Sequence, residues 1–442
     1  MNYSVGMVSL GCPKNQVDAE IMLADLKNAG FSIRSSEYDT DCVIINTCGF
    51  IESAKKEAIE NILELADIKA EGRIKALVVT GCLAERYKEE IKKEMPEVDA
   101  VVGLGSNCDI VKIVTDAIEG RQTESFKDKS ALCFDGERML STPFYTAYLK
   151  IAEGCDNCCT YCTIPMIRGR FRSRSMESVI NEAKLLADRG VKELILVAQD
   201  TTRYGEDLYS KPMLASLLTK LNEIDGIKWI RTLYTYPERI DDELISAVKN
   251  NKKVVSYFDI PLQHCNKEIL EKMNRRGDEQ SYLALIEKIR KAIPDVTLRT
   301  TFITGFPSES EEQFEQLCNF VKKAKFDRVG CFAYSQEENT VAGNMPNQVD
   351  EQTRVRRSEI IMDVQNRVIN EKNLKYIDTV QQVLVEGYDD YIKCYYGRTK
   401  ADAPEIDAKV FFTKKDESIK AGDFVTVKII DTIEYDLLAE QI

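Results

Sequence analysis

Along the first 120 residues, short apolar runs alternate with longer stretches whose apolar positions recur every three or four residues. The runs at 5–10, 43–46, 76–80 and 100–102 are rich in Val and Ile, which suits strands. The stretches 17–29, 53–66, 84–94 and 109–118 gather their apolar residues on one face, as amphipathic helices do. Strand then helix, repeated, predicts an α/β domain with a parallel sheet covered on both faces. After a polar stretch at 119–141, a second series opens at 147–151. It continues with strand-like runs at 193–197, 229–233, 255–260, 298–303 and 328–333. Helical patterns near 176–189, 213–224, 241–249, 267–273, 281–292 and 311–324 separate them. Six strands joined by right-handed crossovers predict an open (β/α) barrel whose strand-end loops share one mouth. Residues 353–373 read as one long connecting helix. From 376 onward short β-rich segments at 379–388, 392–398, 408–412 and 424–433 predict a small antiparallel, OB-like barrel. The expected units are 1–119, a linker at 120–140, 141–372 and 373–442.

Composition narrows the class. The chain shows no run of about 20 apolar residues, so no membrane-spanning helix is expected. Its first residues lack a basic n-region and read as a strand rather than a signal peptide. Fourteen cysteines lie within these α/β patterns rather than in a small loop-rich scaffold. That distribution points to reduced thiolates serving a metal in the cytoplasm. A formal net charge of −13 makes the chain a weak default binder of polyphosphate and a reasonable partner for a basic protein.

The densest chemistry is Cys155-Asp-Asn-Cys158-Cys159-Thr-Tyr-Cys162, just after the strand at 147–151. Cys155, Cys159 and Cys162 form a C-x3-C-x2-C triplet. Three thiolates on one loop can hold three irons of a [4Fe–4S] cubane and leave the fourth open to an external chelator. The competing reading is zinc, through the pairs Cys155/Cys158 and Cys159/Cys162. Zinc pairs are normally well separated in sequence, and abutting pairs make a tetrahedral cage awkward. Cys158 is then a neighbour of the ligands. Cys12, Cys48 and Cys82 each stand just past the C-terminal end of an expected parallel strand, the edge where open α/β sheets bind ligands. Gly11, Gly49 and Gly81 flank them and permit close backbone approach. Three unrelated buried cysteines is the plainer alternative. Cys42, Cys108, Cys133, Cys265, Cys318, Cys331 and Cys394 lack partner spacing and carry no functional reading.

Other strand-end segments should line the mouth: Gln199-Asp200, Tyr234 to Pro237, Gln263-His264 and Gly305-Phe306-Pro307. Ordinary turn chemistry explains each equally well. His264 is the only histidine, which removes a Ser-His-Asp triad or a two-histidine metal site from consideration. Arg168, Arg170, Arg172 and Arg174 form a dense positive run, either a binding patch for a carboxylate or a solvated face paired with surface acids.

The triplet resembles the signature of the radical S-adenosylmethionine (SAM) enzymes. The segments around Cys12, Cys48 and Cys82 resemble the N-terminal domain of the methylthiotransferases within that class, and the β-rich tail resembles a TRAM domain, so the likeness spans essentially the whole chain. It implies two [4Fe–4S] clusters and SAM as cofactors. Cys155, Cys159 and Cys162 would hold the catalytic cluster, and Cys12, Cys48 and Cys82 a second one that supplies or relays sulfur. Gln199, Asp200, Gln263, Gly305, Phe306 and Pro307 would form the SAM pocket. A low-potential electron donor such as a flavodoxin or ferredoxin is implied as well. Cys12-Pro13-Lys14-Asn15, Asn46-Thr-Cys48-Gly-Phe-Ile and the segment from Tyr334 to Thr340 resemble the RimO type. That type methylthiolates the β-carbon of an aspartate in the basic small-subunit ribosomal protein twelve. The MiaB type, which acts on tRNA adenosine, typically has glutamine after the first of these cysteines. From residue 376 to the end the chain carries fourteen acidic and eight basic residues, which favours a basic protein over RNA. A tRNA methylthiotransferase and a Cys-rich metal-binding module without turnover are the alternatives.

Overall fold

Strands Cys42–Thr47 and Ala76–Gly81 bury all six of their residues, the continuous pattern of strands covered on both faces. In the computed structural model, which describes residues 3–35, 38–132, 136–413 and 418–442, they centre a six-stranded parallel sheet. Its order is Ser32–Ile33, Ser4–Ser9, Cys42–Thr47, Ala76–Gly81, Ala100–Val102, Thr123–Ser125. On one face Val43, Ile45, Leu77 and Val79 pack with Ala58, Ile62 and Leu65 of helix Glu52–Ala70. On the other, Ile44, Ala76 and Val78 meet Met22 and Leu26 of helix Pro13–Asn28 and Ile113 of helix Ile110–Ile118.

The two edge strands were not expected, because two or three residues carry no readable period. Thr123–Ser125 belongs to the stretch expected as a linker. In the same stretch Arg138 is buried, donating to Glu20 at 2.6 Å, to Glu182 and to the Tyr148 carbonyl at 2.7 Å. Arg138 thus anchors the end of this connection through buried ion pairs, while most of its other described residues are exposed or half-buried. Cys133 lies outside the described residues.

The middle region holds two runs of three parallel strands: Thr146–Lys150, Glu193–Val197 and Trp229–Thr232, then Tyr257–Gln263, Thr297–Thr304 and Arg328–Ala333. A single bridge, Ile230 to Val254, joins the runs, so the barrel is open and split. Helices including Met176–Asp188, Leu214–Asn222, Glu279–Ala292 and Glu311–Ala324 bury its outer face. Ser310 and Asp278 start two of these helices with reciprocal capping boxes. The concave face is plugged from both flanks. Val17 and Ile21 of helix Pro13–Asn28, and Leu384 and Ala403 of the C-terminal region, pack on Tyr148, Ile195, Val197 and Tyr257.

Five strands, Val380–Asp389, Cys394–Arg398, Val410–Thr413, Phe424–Ile433 and Asp436–Gln441, close the C-terminal barrel. It is not antiparallel throughout, since Val410–Thr413 runs parallel to Asp436–Gln441. An odd number of strands in a ring cannot alternate direction all the way round. This barrel docks on the N-terminal ends of the middle strands through buried pairs. Arg398 meets Glu193 at 2.7 Å, Arg328 meets Asp402 at 3.1 Å, and the Tyr257 hydroxyl donates to Asp407 at 2.6 Å. Part of the tail's acidic excess therefore faces inward, which weakens total charge as a guide to its partner.

Candidate metal centres

Sheet order alone sets Cys12, Cys48 and Cys82 side by side, because they follow three adjacent strands. Cys12 is the N-cap of helix Pro13–Asn28, with Pro13 at the first position, where a missing N–H costs nothing. Gly11 has φ +101°, and a Cβ there would lie 2.9 Å from Cys48 Cβ. Gly81 has φ +96°, and a Cβ there would lie 2.4 Å from the Thr47 carbonyl oxygen. Glycine is what lets the three loops press together. Asn15 stitches them, its Nδ2 donating to the carbonyls of Leu10 at 2.7 Å and Thr47 at 3.3 Å. Burial pushes the Cys82 thiol up to about 12 and raises that of Cys48. Burial works the same way on Cys12, yet the charges of Lys14 and Arg168, together with backbone hydrogen bonds from Asn15 and Lys14, hold that thiol below its ordinary value.

Cys155, Cys159 and Cys162 occupy one loop after the first middle strand, each with donors aimed at its sulfur. The Asn157 amide lies 3.4 Å from Cys155 Sγ and the Ile164 amide 3.5 Å from Cys162 Sγ. The Tyr236 hydroxyl and Arg275 Nη1 each approach Cys159 Sγ to 3.9 Å. Arg275 is buried, stacks 4.5 Å from the Tyr236 ring centroid and donates from Nη2 to the Pro261 carbonyl at 2.6 Å. Cys158 stands apart, exposed and with φ +50°. Burial pushes the Cys155 thiol up to about 12 and raises that of Cys162 further. Among the described residues no three Cys, His, Asp or Glu side chains converge tightly enough to hold one metal ion. A cubane asks for something else: each thiolate binds a different iron, and soft all-sulfur donor sets suit iron–sulfur chemistry. Each triplet offers a donor set of that chemistry, three thiols without a nitrogen or oxygen ligand among them.

Between the two triplets lies a buried ionic cluster that pattern reading did not reveal. Arg168, directly beyond the second triplet, donates from Nη1 to Glu153 at 2.7 Å and to Asp18 at 3.0 Å. Its Nη2 donates to Asn15 Oδ1 at 3.2 Å and to Cys82 Sγ at 3.5 Å. Lys150 shares the same carboxylates, 3.0 Å from Glu153. The arginine run is thus a surface feature only in part, Arg170 being exposed. Arg168 and Arg174 are buried, Arg174 pairing with Glu182, while Arg172 donates to the Lys129 carbonyl at 3.0 Å. These partners come from distant parts of the chain, which no local signal announces.

The mouth residues divide. Gln199 donates to Glu153 at 2.6 Å. Asp200 is buried and accepts from Asn157 Nδ2 at 2.9 Å, so it braces the cysteine loop, and burial raises its carboxyl. The Gly305 amide donates to Glu309 at 2.6 Å, and Phe306 is buried edge-on to Tyr334 with Pro307 buried beside it. His264 accepts the Asn266 amide at Nδ1 (2.9 Å), which places its proton on Nε2, 3.0 Å from Glu309. It is a fully buried structural imidazole. Gln263 instead lines a cavity of about 910 Å3 that also reaches Phe50 and Lys56 after Cys48, Tyr161 between Cys159 and Cys162, and Tyr334 and Arg354. One cavity touches both thiol loops. Of the unassigned cysteines, Cys42 and Cys265 are core residues, and Cys318 and Cys331 pack against the barrel's outer core.

An open parallel (β/α) barrel with a three-thiol loop after its first strand is the frame of a radical SAM enzyme. The radical SAM superfamily model matches residues 149–321, with "Uncharacterized protein family UPF0004" matching 4–103 and the TRAM domain 377–442. Among solved structures, the radical SAM methyltransferase TsrM from Kitasatospora setae shares the fold, with TM-score 0.54 and 14% identity over 74% of this chain and 72% of that one. The chain belongs to the RimO family of methylthiotransferases. It is 50% identical to the ribosomal protein uS12 methylthiotransferase RimO of Pelotomaculum thermopropionicum over 100% of both chains. To the proteins of the same description from Clostridioides difficile and Geobacter sulfurreducens it is 49% and 47% identical, over 99% of this chain and 98% of theirs.

Proposed function

We propose that this protein methylthiolates ribosomal protein uS12 at the β-carbon of an aspartate, with Cys155, Cys159 and Cys162 holding one [4Fe–4S] cluster and Cys12, Cys48 and Cys82 the other. The observation that carries this reading is the single cavity bordered by both thiol loops, since a sulfur source and a hydrogen-abstracting centre must serve one substrate carbon. When bound, the clusters and SAM supply the radical and the methylthio group. The chain's own residues do the rest. Tyr236, Arg275 and the Asn157 and Ile164 amides aim donors at the catalytic sulfurs, and Asp200 fixes the loop through Asn157. Phe306, buried behind Gly305, packs on Tyr334 and Met273 and so supports Tyr334, which lines the cavity. Gln263 borders the space where cofactor and target side chain would meet, with Lys56 and Arg354 as the cations on its walls.

A low-potential flavodoxin or ferredoxin suits a cluster of this type, and a cytoplasmic location suits unpaired thiols and a ribosomal target. No helix among the described residues is long and apolar enough to cross a membrane. The test is anaerobic reconstitution with iron, sulfide, SAM and dithionite, with uS12 and tRNA offered separately. The expected result is a methylthio mass increment on uS12 alone. Unmodified uS12 alongside methylthiolated tRNA would transfer the assignment to the tRNA-modifying type.

A further inference from the structure

We infer that Arg168 is a positioning residue for the sulfur-supplying site: by donating from Nη2 to Cys82 Sγ it raises the reduction potential of a cluster held by Cys12, Cys48 and Cys82. The inference rests on the reading that those three thiolates hold a cluster. Arg168 ends the helix Ile164–Arg168, which begins two residues after Cys162, so it is supplied by the catalytic loop's own flank. Its side chain is 1% exposed and its two ends are divided. Nη1 is spent on Asp18 and Glu153, which Lys150 also neutralises, whereas Nη2 turns to Asn15 and Cys82 in the first domain. A guanidinium needed only to neutralise the two carboxylates would not be held with its second edge against a sulfur.

Reducing a thiolate-bound cluster adds negative charge, and an N–H donor to a ligand sulfur stabilises that form. Arg168 also fixes where that sulfur sits relative to Cys162, because guanidinium geometry is planar and rigid.

The test uses C155A/C159A/C162A as background, so that only the first-domain cluster contributes signal. Reconstituted anaerobically, it is titrated potentiometrically by electron paramagnetic resonance beside versions adding Arg168→Lys or the pair Arg168→Met with Asp18→Asn. The pair keeps the local charge balanced, so no buried carboxylate is orphaned. The expected result is about four irons per chain throughout. Reduction should be at least tenfold less favourable in the Met/Asn pair, about 59 mV for one electron, with Lys between. A reduction equilibrium less than tenfold shifted from the background at unchanged iron content would overturn the inference. Should the pair fail to retain iron, Arg168→Lys decides: a shift of more than twofold in the same direction supports the inference, and a smaller one overturns it. Absence of iron from the background itself would instead overturn the reading of Cys12, Cys48 and Cys82 as ligands, and the inference with it.

Discussion

Cys155, Cys159 and Cys162 reach one another along eight residues of a single loop, whereas Cys12, Cys48 and Cys82 are brought together only by the order of three strands. The first set depends on local backbone, the second on the whole sheet being correctly paired. Each receives a buried arginine near one sulfur, Arg275 beside Cys159 and Arg168 beside Cys82. Arg275 comes from the same domain as its thiol, while Arg168 crosses from the barrel into the first domain. A contiguous site should survive damage elsewhere in the fold, and a dispersed one should not.

The largest effects should come from removing one thiol of each set. Cys159→Ala should abolish formation of 5′-deoxyadenosine, followed by chromatography of the reaction. Cys48→Ala should stop sulfur insertion into uS12, followed by mass, while SAM cleavage persists. If both variants lost SAM cleavage alike, the two sites would not be separable.

A cut at the far end of the barrel should lower stability without touching either thiol set directly. Burial raises the Glu193 carboxyl, but Arg398 and Arg231 outweigh that and hold it below the usual range. Its stabilising contribution is therefore complete above the ordinary carboxylate pKa near 4.3 and is lost as pH falls toward the lowered folded value. Glu193→Gln should cost about 3–5 kcal/mol at pH 7, with the gap to the parent closing in acid, measured by urea unfolding across pH.

Gly81→Ala should discriminate between the sites. Its φ of +96° and the 2.4 Å approach to the Thr47 carbonyl predict a loss of about 2–3 kcal/mol confined to the first domain, read by urea unfolding. Iron should fall at the dispersed site while SAM cleavage continues. The smallest effect belongs to Cys158→Ser, since that side chain is exposed. Iron content should not change, and a loss would revive four-thiolate binding at the loop.

The sequence patterns foretold the two α/β series and the terminal barrel because long, repeated periods mark them. Strand ends read at Leu10, Asn46 and Thr80 also carried enough phase to place three cysteines just past one sheet edge. Short edge strands such as Thr123–Ser125 have no such phase. Arg168 was legible only as one charge in a run, because the residues that bury it, Asp18, Glu153 and Cys82, come from three separate elements. Phe306 read as a mouth residue for a related reason: position after a strand gives the edge, but not whether the side chain turns outward or into Tyr334.

Iron and acid-labile sulfide per chain in anaerobically reconstituted protein test the central claim, that two independent three-thiolate sites exist, most directly. The intact chain should hold about eight of each, and C12A/C48A/C82A and C155A/C159A/C162A about four apiece. About four in the intact chain, or loss of all iron from both triple variants, would contradict it.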